Sequence, residues 1–336
     1  MTRARAIDGH VPHPQASLYY SQRAGAGLII TEGSQISRRG TGYIRTPGIY
    51  SPEQITAWSH VCRSVHAAGG RIFLQLWHVG RVSHPDVIDG AMPVAPSAIA
   101  AEGVAFTSSG PKKLPVPRAL EAHELSGIVT EFENAARNAK AAGFDGVEVH
   151  GANGYLLDQF LRDGSNHRQD AYGGSVENRA RLPLEIAEAV IGVWGAERVG
   201  YRISPHFSAY SMSDSNPANA FSHLAAALSA LGIGYLHVVE AVAGPAAPPP
   251  AVQHLTPLLR AKFSGALMVN GGYDAVTAER ACLEGRADLI SFGVPFLANP
   301  DLPARFAVSA DLNTPDASTF YQGEERGYID YPSLPA

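Results

Sequence analysis

Cysteine and lysine are scarce in this chain. Cys62 and Cys282 are the only two cysteines in 336 residues. They are far apart and offer neither a disulfide framework nor a metal pair. Each falls in a helical pattern and reads as a small buried apolar residue. The lysines are Lys112, Lys113, Lys140 and Lys262 alone, and none stands at a strand end, where a Schiff-base enzyme of the barrel type needs one. The 13 histidines include no His-x-His pair, which argues against a metal-dependent hydrolase, and no metal site is expected. No apolar run approaches the length that crosses a bilayer, and no signal peptide opens the chain. A soluble, cytoplasmic protein is the expectation. The net charge of -5 gives no reason to expect nucleic acid or a membrane as partner.

Hydrophobic residues make up 45% of the chain, enough for a sizeable core. The length suits two average domains or one large α/β barrel. Ser17 to Ala26 reads as a helix and Gly27 to Thr31 as a buried strand. Ser51-Pro52-Glu53 opens a capped helix whose Ile55, Trp58, Val61, Cys62 and Val65 form one apolar face. Arg71 to Trp77 is the next strand. Ser83 to Pro117, rich in proline and glycine, does not read as regular core structure. It is either a lid over the C-terminal side of a strand or a plain variable loop. Helices near 121–142, 177–194, 219–231, 252–262 and 275–283 then alternate with strands ending at His150 and over 199–203, 234–239, 266–269 and 289–292. Gly244 to Pro250 is a proline-rich break. Seven strands separated by helices imply parallel βαβ units in a single α/β domain over 1–336, with 83–117 as an excursion. A closed (β/α)8 TIM barrel wants eight strands, so the first is expected to be mostly missing before Met1.

One stretch concentrates chemistry. Val147 and Val149 alternate with Glu148 and His150, and Asn153 and Tyr155 follow at once. Histidine and asparagine can donate hydrogen bonds to one oxygen, and tyrosine can deliver a proton. The C-terminal ends of parallel strands are where a barrel of this kind keeps its active site. On residue types alone, the same trio could equally cap an ordinary strand end.

The continuation is specific. His150-x-x-Asn153-Gly154-Tyr155-Leu156-Leu157-x-Gln159-Phe160-Leu161, then Ser165-Asn166-His167-Arg168-x-Asp170-x-Tyr172-Gly173-Gly174-Ser175-x-Glu177-Asn178-Arg179-x-Arg181, closely resembles the Old Yellow Enzyme family of FMN-dependent ene-reductases. That family includes bacterial N-ethylmaleimide reductases and plant 12-oxophytodienoate reductases. The likeness runs from Met1 to Pro332. It implies an enzyme that binds FMN, is reduced by NADH or NADPH, and reduces the activated C=C bond of a small enone or nitro compound, as a monomer or homodimer. His150 and Asn153 match the donors to the substrate oxygen, and Tyr155 matches the proton donor. Thr2, Gly33, Gln75 and Arg202 match residues around the flavin ring. Gly271, Gly272 and Gly293 match the backbone cradle of its phosphate. Tyr43, Trp77 and Tyr321 match aromatics of the substrate pocket.

The sequence departs from the family at two places. Met1-Thr2-Arg3 matches only the end of the family's first-strand segment, so about 25 residues of an eight-stranded barrel are expected to be lacking. Val294 stands where an arginine usually pairs with the phosphate. Two cysteines exclude the dienoyl-CoA reductase branch, whose iron–sulfur cluster takes four. The rival reading is a flavin-poor, non-catalytic barrel that binds small carbonyl compounds.

Overall fold

Parallel strands need long crossovers, and the alternation of strand and helix supplies them. The computed structural model describes residues 1–241 and 252–335; the Gly244–Pro250 break lies outside the described residues. One parallel sheet runs in sequence order: β1 (Ile29–Gln35), β2 (Ile72–Trp77), β3 (Gly146–His150), β4 (Val199–Ile203), β5 (Tyr235–Val239), β6 (Ala266–Asn270) and β7 (Leu289–Ser291). The helices are α1 (Ala16–Ser21), α2 (Pro52–Ala67), α3 (Ala122–Ala142), α4 (Leu156–Leu161), α5 (Val176–Trp194), α6 (Pro217–Ala230), α7 (Thr256–Lys262) and α8 (Ala275–Leu283), with short turns of helix after β7. This is the expected (β/α)8 barrel with seven of its strands among the described residues; β1 and β7 are the two outer ones. No helix among the described residues is long and apolar enough to cross a membrane.

The strand pleat separates two cores. Outward-facing Leu74, Leu76, Val147, Val149, Tyr201 and Ile203 pack with the inner faces of the helices. On α2 those are Trp58, Val61, Cys62 and Val65, and Ser51 caps the helix in a capping box with Gln54. Inward-facing Phe73, Tyr235 and Met268 form a separate cluster that floors the barrel. Glycines opposite make this floor possible. A Cβ on Gly146 would come 2.3 Å from the Phe73 ring, and one on Gly200 would come 2.1 Å from the Tyr235 ring. No real side chain tolerates either approach.

Several boundaries differ from expectation, each for a tertiary reason. β1 starts at Ile29 and runs on to Gln35, through an irregularity between Ile30 and Gly33 that re-registers it on β2. α1 stops at Ser21, and Arg23 beyond it donates to the carbonyls of Tyr19, Phe296 and Leu297. α7 begins only at Thr256, because the Glu240 carboxylate accepts the N–H groups of Leu255 and Thr256 at 2.7 and 2.9 Å. The stretch 83–117 holds more regular structure than expected: a hairpin of 104–107 and 110–113. Cys62 is buried as expected, but Cys282 is exposed, since α8 turns Ala278 and Ala281 inward instead.

The two ends of the chain are clamped together. Arg3 and Arg5 are buried and donate to the carbonyls of Thr319, Phe320, Gln322, Glu324, Arg326 and Gly327. Their guanidinium groups lie within 5.3 Å of the centre of the Tyr328 ring, which stacks on Tyr19 at 4.2 Å.

Gly200→Ala is expected to lower stability by about 1–3 kcal/mol through overpacking of the floor, read as a fall in the urea midpoint. A midpoint equal to that of the unsubstituted protein would show that Tyr235 has room to move.

Candidate active site

Two residues along each strand from the aromatic floor, the pleat returns to the interior and the residues turn polar. Phe73 is followed by Gln75, Gly146 by Glu148, Gly200 by Arg202, Tyr235 by His237 and Met268 by Asn270. Register then makes neighbours of them. Gln75 pairs with Glu148, His150 with Arg202, and Arg202 with His237. Gln75 Nε2 donates to Glu148 Oε1 at 2.7 Å, and His237 Nδ1 donates to Glu148 Oε2 at 2.8 Å. Arg202 donates to His237 Nε2 at 2.7 Å and to Asn270 Oδ1 at 3.3 Å. Burial raises the Glu148 carboxyl, but His237, Arg202 and Gln75 outweigh it and hold the group at about 2. Burial, then Arg202, holds His237 neutral, down to about 4.

The next layer up carries Trp77 and His150. Burial, reinforced by Arg202, lowers the His150 imidazole to about 3, so the ring is neutral. Its Nδ1 accepts the Ala152 N–H at 3.3 Å, which leaves Nε2–H as the outward donor. The chain then turns sharply. Asn153 has a left-handed φ of 58°, held by its N–H donating to Ser204 Oγ at 2.7 Å. Gly154 donates to Asp158 at 2.9 Å, and Asp158 is paired with Arg162 at 2.8 Å, both fully enclosed. Arg162 also grips the carbonyls of Ser204 and Phe207, so one buried ion pair braces the loops after β3 and β4. The Asn153 side-chain amide has no hydrogen-bond partner among the described residues.

Tyr155 caps α4 and stands edge-on to Trp77, with ring centres 5.0 Å apart, and to His150 at 5.2 Å. Its hydroxyl meets that of Tyr43 at 3.1 Å, and Tyr43 meets Tyr210 at 2.9 Å. Burial pushes the Tyr155 phenol above its ordinary range, Tyr210 adds to this, and the Tyr43 hydrogen bond opposes it. Tyr43 stacks on Trp77 at 5.6 Å. Ala101, Ala105 and Leu114 of the excursion pack against Trp77, Val79 and Val82 beside the three tyrosines.

Most of the residues singled out from the sequence come together here, but not all. Gly33 lies against the Trp77 ring, where a Cβ would sit 2.7 Å from it, so the ring itself accounts for that glycine. Thr2 precedes Arg3, whose backbone N–H is bound by Glu32 at 3.0 Å, beside Gly33. Gly271, with φ 123°, follows β6, and Gly293 follows β7. The backbone N–H groups of Gly271, Gly272 and Gly293 have no acceptor among the described residues. Val294 is 38% exposed and brings no charge. Tyr321 stands outside the tyrosine cluster, 59% exposed. Sequence reasoning passed over Glu148, His237 and Tyr210. The first two share the inward face of their strands with His150 and Tyr235, a signal open to the alternation argument. Tyr210 gave none, since it sits in an irregular loop with φ 58°, fixed by Arg81 donating to its carbonyl at 2.9 Å.

These buried rings carry a pH signature. His78, like His150, is lowered to about 3 by burial. In an unfolded chain a histidine titrates near 6.5. Below that value the unfolded state therefore binds more protons, and stability falls as pH falls, by up to about 1.4 kcal/mol per pH unit for each ring. His150→Gln is expected to flatten the drop of the urea midpoint between about pH 6 and 4. An unchanged slope would mean that the ring protonates freely in the folded protein.

Known proteins share this architecture and sequence. The family model for the NADH:flavin oxidoreductase / NADH oxidase family matches residues 1–313. The 12-oxophytodienoate reductase 1 of Oryza sativa subsp. japonica is 44% identical over 337 residues, covering 99% of this chain and 88% of the relative. The 12-oxophytodienoate reductase 2 of Arabidopsis thaliana is 41% identical over 342 residues, covering 99% and 90%. Among solved structures, morphinone reductase in complex with tetrahydroNAD superposes with a TM-score of 0.94 at 48% identity, over 100% of this chain and 92% of that one. The Old Yellow Enzyme homologue from Zymomonas mobilis gives 0.96 at 45%, over 99% and 94%. With the barrel, the polar layer and the motifs in agreement, the chain belongs to the NADH:flavin oxidoreductase / NADH oxidase family, among the Old Yellow Enzyme relatives that its motifs resemble.

Proposed function

We propose that His150, Asn153 and Tyr155 serve an FMN-dependent reduction of activated C=C bonds in α,β-unsaturated carbonyl or nitro compounds, driven by NADH or NADPH. The observation that carries this reading is the grouping of His150, Asn153 and Tyr155 at and just beyond the end of β3, with the His150 and Tyr155 rings 5.2 Å apart and the His150 Nε2 and the Asn153 amide without a partner among the described residues. The residues present suit FMN. The Gln75 amide oxygen is without a partner among the described residues and offers an acceptor to the pyrimidine edge of the ring. Arg202 brings a cation to that edge, where it favours the reduced flavin. The N–H groups of Gly271, Gly272 and Gly293, without an acceptor among the described residues, suit a phosphate. Thr2 and Gly33 belong to the ring side of the same site. When bound, FMN would supply hydride-transfer chemistry between the nicotinamide and the alkene β-carbon.

The side chains do the rest. His150 Nε2–H and the Asn153 amide donate to the substrate oxygen, where negative charge grows as the β-carbon is reduced. Preorganised donors of this kind are worth about 3–4 kcal/mol each. A neutral imidazole suits this task, because it donates without yielding its proton. Tyr155 gives a proton to the α-carbon, so that one hydride and one proton add across the double bond. Tyr43 is placed to donate to the tyrosinate left behind, and Tyr210 to Tyr43. Trp77 and Tyr43 line the pocket, with Tyr321 at its rim. The excursion over 83–117 acts as a lid that keeps water from the reacting carbons.

The first test is an absorbance spectrum of the purified chain after FMN addition and desalting. A retained flavin band, bleached by NADPH or NADH and restored by 2-cyclohexenone, is expected. Absence of the band would favour a flavin-poor barrel that only binds carbonyl compounds. Tyr155→Phe is expected to slow alkene reduction about 10²–10⁴-fold, with flavin reduction nearly unchanged; an equal loss in both half-reactions would remove Tyr155 as proton donor. Val294→Arg is expected to tighten FMN binding roughly ten- to a hundredfold by restoring a charge-assisted hydrogen bond to phosphate. Titration of flavin fluorescence reads this directly, and no gain would place the phosphate elsewhere.

A further inference from the structure

Glu148 touches none of the groups assigned to substrate, yet it joins two that are assigned to the flavin. Both of its oxygens are used, and in opposite directions. Oε1 accepts from Gln75 Nε2 at 2.7 Å, and Oε2 accepts from His237 Nδ1 at 2.8 Å. His237 Nε2 in turn lies 2.7 Å from both Arg202 and Ser291 Oγ, and the same Arg202 nitrogen stands 3.0 Å from Nδ1. Two chains of donors therefore converge on one carboxylate that is completely shielded from solvent. An ionised carboxylate is the side chain that only accepts at both ends. A glutamine there would present N–H on one side. That N–H would face either the Gln75 amide nitrogen or the His237 Nδ1–H, and one chain would have to reverse.

We infer that Glu148 is a positioning residue for the flavin: it fixes the Gln75 amide with its oxygen toward the ring and offsets the positive charge of Arg202 beneath it. The inference rests on the flavin reading given above. It follows from donor counting. With Gln75 Nε2 committed to Glu148, the group left for a ligand is Oε1, an acceptor suited to a ring N–H and repelled by a ring carbonyl. With His237 held as the Nδ1–H form, Arg202 has a neutral neighbour within the protein, and the opposing charge that acts on it is that of Glu148. The Glu148 charge lies one hydrogen-bonded ring away from that guanidinium. It therefore destabilises any added negative charge on the flavin and holds the reduction potential down.

The test uses the FMN-loaded protein and Glu148→Gln. The variant removes charge while keeping shape, so its flavin is expected to be easier to reduce. At fixed solution potential the ratio of reduced to oxidised FMN should rise at least tenfold, which is about 30 mV for a two-electron couple. Equal potentials, or a lower one in the variant, would reduce Glu148 to a packing residue. A second measurement uses the unsubstituted protein and so does not depend on the variant folding. FMN methylated at ring N3 has lost the N–H that Gln75 Oε1 would accept, and is expected to bind at least tenfold more weakly than FMN. Equal binding of the two flavins overturns the inference. Failure of the unsubstituted chain to bind FMN at all overturns the flavin reading, and this inference with it.

Discussion

A curled parallel sheet has to fill its own interior, and it has only every second side chain with which to do so. In this protein the filling is done in layers. Phe73 and Tyr235 are too large to stand beside ordinary residues, so Gly146 and Gly200 give them room. That aromatic floor keeps water out from below. It also means that the next inward residues, two positions on, lie over a dry surface and under an open one. Gln75, Glu148, Arg202, His237 and Asn270 occupy that boundary and satisfy one another. The layer above them, His150 and Trp77, is held at a height set by the pleat.

The electrostatics of the site follow from this stacking. Within the polar layer, one carboxylate and one guanidinium share the interior with neutral imidazole rings. Burial disfavours extra charge on the rings, and Arg202 disfavours a second cation. His150 and His237 are therefore fixed hydrogen-bonding groups rather than titrating ones at ordinary pH. Tyr155, pressed between Trp77 and His150, stays protonated for the same reason. Each group is kept in the one protonation state that its proposed part in reduction of an activated alkene requires.

Much of this was legible in the sequence because the pleat has a period of two. The strand ending at His150 showed its inward face as Glu148 and His150 between two valines, and the turn after it showed Asn153 and Tyr155. The order and direction of the seven strands followed from the alternation with helices. What escaped depends on contacts distant in sequence. The late start of α7 is decided by Glu240 on another element, and the early end of α1 by carbonyls near residue 297. The length of β1 is decided by its register on β2 and by the Trp77 ring on Gly33. Tyr210 enters through a left-handed loop that Arg81 holds from across the site, and no local pattern encodes that. The link from Gln75 to His237 crosses three strand pairings, from β2 to β5, so only register reveals it.

The clamp between the two ends of the chain has a consequence in time. Arg5 donates to the carbonyl of Thr319, 314 residues further along. Polypeptide emerges from a ribosome at about 5–20 residues per second, so Arg5 waits roughly 15–60 s before its acceptors exist. Through that interval the guanidinium groups of Arg3 and Arg5 lack these acceptors and the Tyr328 ring. The first strands can pair as they appear, but the wall they begin stays unlatched until translation is nearly over.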